Sequence, residues 1–86
     1  MRYWRPDLRS VRRGEWIMFD GERKIAIIRL VTIGLGEYGK RELFRAVTWA
    51  PRSEDRDLIG YFPDRHLAAV VVWSVYQRDL ERARRV

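Results

Sequence analysis

The chain has no cysteine and no asparagine, a single histidine, two lysines and three prolines in 86 residues. Without cysteine there is no disulfide staple, no thiolate metal ligand and no cysteine nucleophile. One histidine rules out a two-histidine metal site within the chain. Long apolar runs are lacking too. The longest, Leu67 to Trp73, falls far short of the ~20 residues that cross a bilayer. Arg2, Arg5, Arg9, Arg12 and Arg13 interrupt any signal-peptide core near Met1. The expectation is a soluble, cytoplasmic protein with no membrane partner. With 47% hydrophobic and 13% aromatic residues, the composition is that of a folded chain. Its length allows one domain that buries about 60–65% of its unfolded surface.

The formal charge of +6 is concentrated at the ends. Residues 1–13 hold five arginines against Asp7, and residues 77–86 hold Arg78, Arg82, Arg84 and Arg85 against Asp79 and Glu81. Residues 14–76 carry nine basic and nine acidic side chains and are neutral. Basic ends on a neutral body suit phosphate contacts, because arginines on a mobile segment neutralise a nucleic-acid backbone without a preformed pocket. The competing reading is compositional. Arginine outnumbers lysine 16 to 2, as a GC-rich genome dictates, and the ends are then merely solvated.

Residues 1–13 show no sustained periodicity and read as an irregular basic arm, which Tyr3, Trp4 and Leu8 could pin to the domain formed by residues 14–86. Glu15–Phe19 is β-like and runs into Asp20-Gly21, a strong hairpin signal. Arg23–Ile33 follows as a strand rich in β-branched residues. Gly34, Gly36 and Gly39 mark a hairpin loop, and Arg41–Ala50 is the next strand, stopped by Pro51. Leu58–Phe62 makes a short fourth strand. Asp64 is placed to cap a helix that runs to about Arg84, with arginines complementing the dipole in its last turns. The fold class is α+β, an antiparallel meander of three to four strands with one C-terminal helix.

On that helix Ala69, Val72, Trp73, Tyr76, Leu80 and Ala83 form one apolar stripe. Leu67 and Val71 lie opposite, as candidates for a protein interface. Register follows from the Asp20-Gly21 turn, which pairs Phe19 with Glu22, Met18 with Arg23 and Trp16 with Ile25. One face then carries Trp16, Met18, Ile25, Ile27, Arg29, Val31, Leu43, Arg45, Val47 and Trp49. The other carries Ile17, Phe19, Ala26, Ile28, Leu30, Phe44, Ala46 and Thr48, and its alanines assign it to the helix. On the first face Arg29 and Arg45 come close, an unfavourable pairing unless an anion or acid joins them. With Trp49 they make a candidate nucleic-acid platform of phosphate, base-edge and stacking contacts. Its apolar residues equally suit a covered surface, through closure into a small barrel or packing of two chains.

Ile59-Gly60-Tyr61-Phe62 followed by Ala68-Ala69 resembles the plant ethylene-response-type (APETALA) DNA-binding domain. There the last strand ends in Leu-Gly-x-Phe, and an Ala-Ala pair sits at this spacing in the following helix. The same plan occurs in arm-binding domains of some phage and transposon integrases. The resemblance covers about residues 41–76 and implies a sheet whose arginines and tryptophans enter the major groove, in role Arg29, Arg45 and Trp49. The chain departs from the family in lacking its Tyr-Arg-Gly start and its central Trp-Gly, so those roles are not carried over one by one. Gly60 and the alanines are packing features, the glycine letting the helix approach. The chain also looks like small proteins common in actinobacteria and their phages, a likeness that implies no activity.

Nothing points to catalysis, a cofactor, a metal or a small-molecule substrate. His66 reads as an exposed residue in the first helical turn. Glu54, Asp55 and Asp57 sit among Arg52 and Arg56 as a solvated charge cluster. The Gly34–Gly39 loop joins two strands, so it has no helix N-terminus to hold a phosphate. Two functions remain. One is DNA binding through Arg2, Arg5, Arg9, Arg12 and Arg13 of the arm together with Arg29, Arg45 and Trp49. The other is a protein-interaction or assembly module, phage-encoded or homodimeric, that uses Leu67 and Val71.

Overall fold

The computed structural model describes residues 4–85. Five strands, β1 (Asp7–Arg12), β2 (Glu15–Asp20), β3 (Arg23–Gly34), β4 (Lys40–Thr48) and β5 (Leu58–Phe62), precede one helix, α1 (Arg65–Arg84). Two short turns depend on glycine. Gly14 has φ 76° between β1 and β2, and Gly21 has φ 62° between β2 and β3, a region that side chains with a Cβ rarely enter. Positive φ at the first of two loop residues, here Gly21-Glu22, is the type II′ pattern, which matches strand twist.

The strands pair in chain order, all antiparallel. The sheet is open, not the small barrel considered from the sequence, and it has one strand more than expected. The added strand is β1. Asp7 to Arg12 pair with Phe19 to Glu15 of β2, so this part of the expected irregular arm is a fixed edge strand. Its pattern hides it, since Leu8 alone faces the core and the other five residues are exposed. The charged side chains also suit an edge, where they discourage pairing with another chain.

The β2–β3 register differs from the sequence reading. Asp20 opposes Arg23, and a bulge beside Phe19 and Met18 leaves Ile25 unpaired, so Met18 faces Ala26 and Trp16 faces Ile28. Relative to the expected pairs this is a slip of three residues, and an odd slip turns a strand over. Trp16 and Met18 therefore face the helix and Ile17 faces away, the reverse of the expectation for β2. For β3 and β4 the expected faces hold, with Ala26, Ile28 and Ala46 in the core. Ile25 joins them because the bulge directs it to the same side.

Asp64 caps α1 as its sequence position suggested, its Oδ1 accepting the Leu67 N–H at 2.7 Å. Ala68, Ala69 and Val72 are buried against β3, β4 and β5. Trp73 and Tyr76 pack beside them, while Ala83 of the expected stripe is exposed where the helix outruns the sheet. Trp4 stacks on Trp73 with centroids 5.3 Å apart, and Leu8 packs on the core, so both tie the N-terminal segment to the body. Gly60 is occupied differently from the expectation. A Cβ there would lie 3.0 Å from the Phe62 ring, so the glycine makes room for that ring and not for the helix.

The middle of α1 is fastened to the β2–β3 turn by Tyr76, whose hydroxyl donates to Asp20 Oδ2 at 2.8 Å. That bond, and secondarily burial, raises the phenol above its usual range. The folded protein then keeps the proton to higher pH than the unfolded chain. The stabilisation is complete below about pH 10 and is lost as pH rises through the folded value. Urea midpoints of wild type and Tyr76→Phe are expected to differ at neutral pH and to converge above pH 10. A gap that stays constant would show that the Tyr76 hydroxyl does not donate to Asp20 in solution.

Beyond Leu30, whose N–H reaches the Gly14 carbonyl at 2.8 Å, β3 has no partner on its β2 side among the described residues. Residues 31–34 and 40–43 continue as a two-stranded ribbon whose tip carries the exposed Leu35 and Tyr38.

Candidate nucleic-acid interface

Cross-strand pairing on the face away from α1 aligns one residue from each strand. Arg12 opposes Glu15, Glu15 opposes Arg29, Arg29 opposes Arg45, and Arg45 opposes Tyr61. Beside this row runs an apolar one in which Ile17, Ile27, Val47 and Leu58 follow Arg9. The two arginines expected to meet do so directly.

Glu15 is the acid that makes the meeting tolerable. It is 8% exposed. Arg29 Nε donates to its Oε1 at 2.8 Å, Arg29 Nη2 donates to the same atom, and Arg12 Nε lies 3.5 Å from its Oε2. A buried carboxylate needs such partners. Arg45 is half-buried and has neither a hydrogen bond nor an ion pair among the described residues. Two guanidinium groups thus share one carboxylate while the third, next in line, has none.

The loop joining β4 to β5 comes over this face. Its ends are closed by Thr48, whose N–H donates to the Asp57 carbonyl at 2.8 Å and whose hydroxyl accepts from the Asp57 N–H at 2.9 Å. Within it Arg56 Nε donates to the Ala50 carbonyl at 2.9 Å. Ser53 and Arg56 then line a groove of about 280 Å³ together with Ile27, Arg29, Arg45 and Val47.

The other predicted site residues are distributed unevenly. Arg2 lies outside the described residues. Arg5 and Arg13 are exposed, the first before β1 and the second in the turn after it. Arg9 and Arg12 are held in β1, so they are not on a mobile arm. Arg9 pairs with Asp7 at 3.0 Å and lies 3.8 Å from the Phe19 ring centroid. Trp49 leaves the platform. β4 ends at Thr48, alternation stops there, and the Trp49 N–H donates to the Ile25 carbonyl at 3.0 Å. Its ring faces Lys24 Nζ at 5.1 Å and lines a hollow beside α1 with Ile25, Ile59, Val72 and Tyr76. Leu67 is 41% exposed and Val70, which sequence reasoning did not single out, 37%, while Val71 is half-buried.

Sequence reasoning also missed Glu15, Tyr61 and Arg56. Glu15 becomes visible once the β2 register is known. Arg56 carries no periodic signal, because a loop has none.

Among the described residues no group of three His, Cys, Asp or Glu side chains is placed to hold a metal. No described helix is long and apolar enough to cross a membrane. Compared with family models, with curated proteins and with solved structures, the chain gives no match in any of the three.

Proposed function

We propose that this chain is a non-catalytic module that binds nucleic acid, DNA in the first place, through phosphate contacts on the outer face of its sheet. The observation that carries the reading is the unpartnered, half-buried Arg45 directly opposite Arg29. Like charges across strands are destabilising by themselves, and a polyanion that lies over them converts the cost into affinity. Arg12 extends the same row, and the exposed Arg13 follows it in the turn after β1. The arginines of β1 are already ordered, so they lose less freedom on binding than residues of a mobile arm.

The test is fluorescence anisotropy of a labelled mixed-sequence duplex at several salt concentrations. Contacts to about 3–5 phosphates give a log–log salt slope of roughly −3 to −5. Arg45→Gln, which removes no internal bond, is expected to flatten that slope by about 1 with little change in thermal stability. Absence of binding even at ~50 mM salt overturns the proposal, since electrostatic contacts are strongest there.

A protein-interaction reading is favoured by a different observation, the exposed Leu67 and Val70 on the first turns of α1. It accounts for the helix face and leaves the arginine row unexplained.

A further inference from the structure

Resting on the nucleic-acid reading, we infer that the groove between the sheet and the β4–β5 loop is a seat for one phosphate group, gripped by Arg29, Arg45 and Arg56 with Ser53 at its rim. None of the six residues that line it is acidic. The loop's three carboxylates, Glu54, Asp55 and Asp57, are not among the residues that line it, and Glu54 lies 3.8 Å from Arg52.

The three guanidinium groups are prepared to different degrees. Arg29 is oriented by Glu15 through Nε and Nη2, which leaves Nη1 to donate elsewhere. Arg56 is oriented by the Ala50 carbonyl through Nε, which leaves both Nη groups. Arg45, which lines the same groove, has no partner among the described residues. Planar forks held by a second bond lose little entropy when they take up an oxyanion. Val47, 7% exposed, and Ile27 form an apolar floor that strengthens each charge–charge interaction above it.

Charge selects the occupant: three of the six lining residues are arginines and none is acidic. Three arginines lining one groove, two from the sheet and one from the loop, offer donors for the several oxygens of a phosphate, more than the two of a carboxylate require. In a duplex the occupant is a backbone phosphate, and the β4–β5 loop sets the register of the strand on the sheet.

The seat is tested on the nucleic-acid-free protein with inorganic phosphate at low ionic strength, by NMR of the arginine Nε–H groups, with acetate as control. Saturable shifts at Arg29, Arg45 and Arg56 that acetate does not reproduce are expected. Arg45→Gln and Arg56→Gln should each weaken phosphate binding tenfold or more, and Arg23→Gln, at the β2–β3 turn, should leave it unchanged. Arg56 also ties its loop to Ala50, so Arg45→Gln, which breaks no internal bond, decides the matter if the loop is disturbed. The labelled duplex is titrated in parallel. Phosphate shifts together with a duplex slope flattened by about 1 in Arg56→Gln support the seat as a backbone contact. Phosphate shifts without duplex binding keep the seat and overturn the nucleic-acid reading. Duplex binding that is indifferent to Arg56→Gln, with no phosphate shifts, overturns the seat alone.

Discussion

Met18→Ala is expected to lower the unfolding free energy by about 2–5 kcal/mol, the range for a large side chain removed from a core that cannot close over the gap. Met18 is completely buried among Ala26, Ile28 and the α1 residues Ala68, Ala69 and Val72. For a domain of this length the total is about 4–13 kcal/mol, so the loss is a large share of it. Ile17→Ala, one residue earlier, removes a half-buried side chain from the opposite face and is expected to cost about 1–2 kcal/mol. Urea unfolding followed by tryptophan fluorescence compares the two directly. If β2 had the register read from Asp20-Gly21 alone, the order would invert, so an equal or reversed pair of losses would overturn the arrangement of this strand.

Ala69→Leu is expected to be nearly as damaging in the opposite sense. Ala46, Ala68 and Ala69 are fully buried, and the small residues are what allow α1 to lie close over β3, β4 and β5. Three added heavy atoms have no space there, and overpacking costs about 1–3 kcal/mol. The strain also reaches the two fastenings of the helix, Tyr76 to Asp20 and Trp73 to Trp4. Loss of near-ultraviolet circular dichroism beyond the loss of stability is therefore expected. Val70→Leu, on the exposed side of the same turn, is expected to be close to neutral. A neutral Ala69→Leu would mean that the helix does not sit tightly on the sheet.

The legible parts of the fold were those governed by local chemistry. Asp64 at the start of α1, the glycines between β3 and β4, and the β-branched run of β3 each specify an element within a few residues. The Arg29–Arg45 juxtaposition was legible for a related reason, because β3 and β4 pair without a bulge from Gly34 and Lys40 back to Ala26 and Thr48. What escaped depends on irregularities. One unpaired residue, Ile25, turns β2 over, and neither the sequence nor its periodicity marks a bulge. β1 escaped because five of its six residues face solvent, which leaves a strand without alternation. Trp49 was misplaced by extending a strand past its end, to Ala50 where β4 stops at Thr48. Arg56 reaches the groove only through the path of a loop.

The ribbon formed by the outer ends of β3 and β4 extends beyond the ends of β2 and β5. Among the described residues it has strand neighbours on neither side and none of its residues belongs to the core under α1, so its length is not coupled to the packing of the domain. Two residues added to each strand preserve the inside–outside alternation and carry the tip outward by about 7 Å. Leu35 and Tyr38 therefore ride on a ruler whose length can change without altering the sheet that bears it.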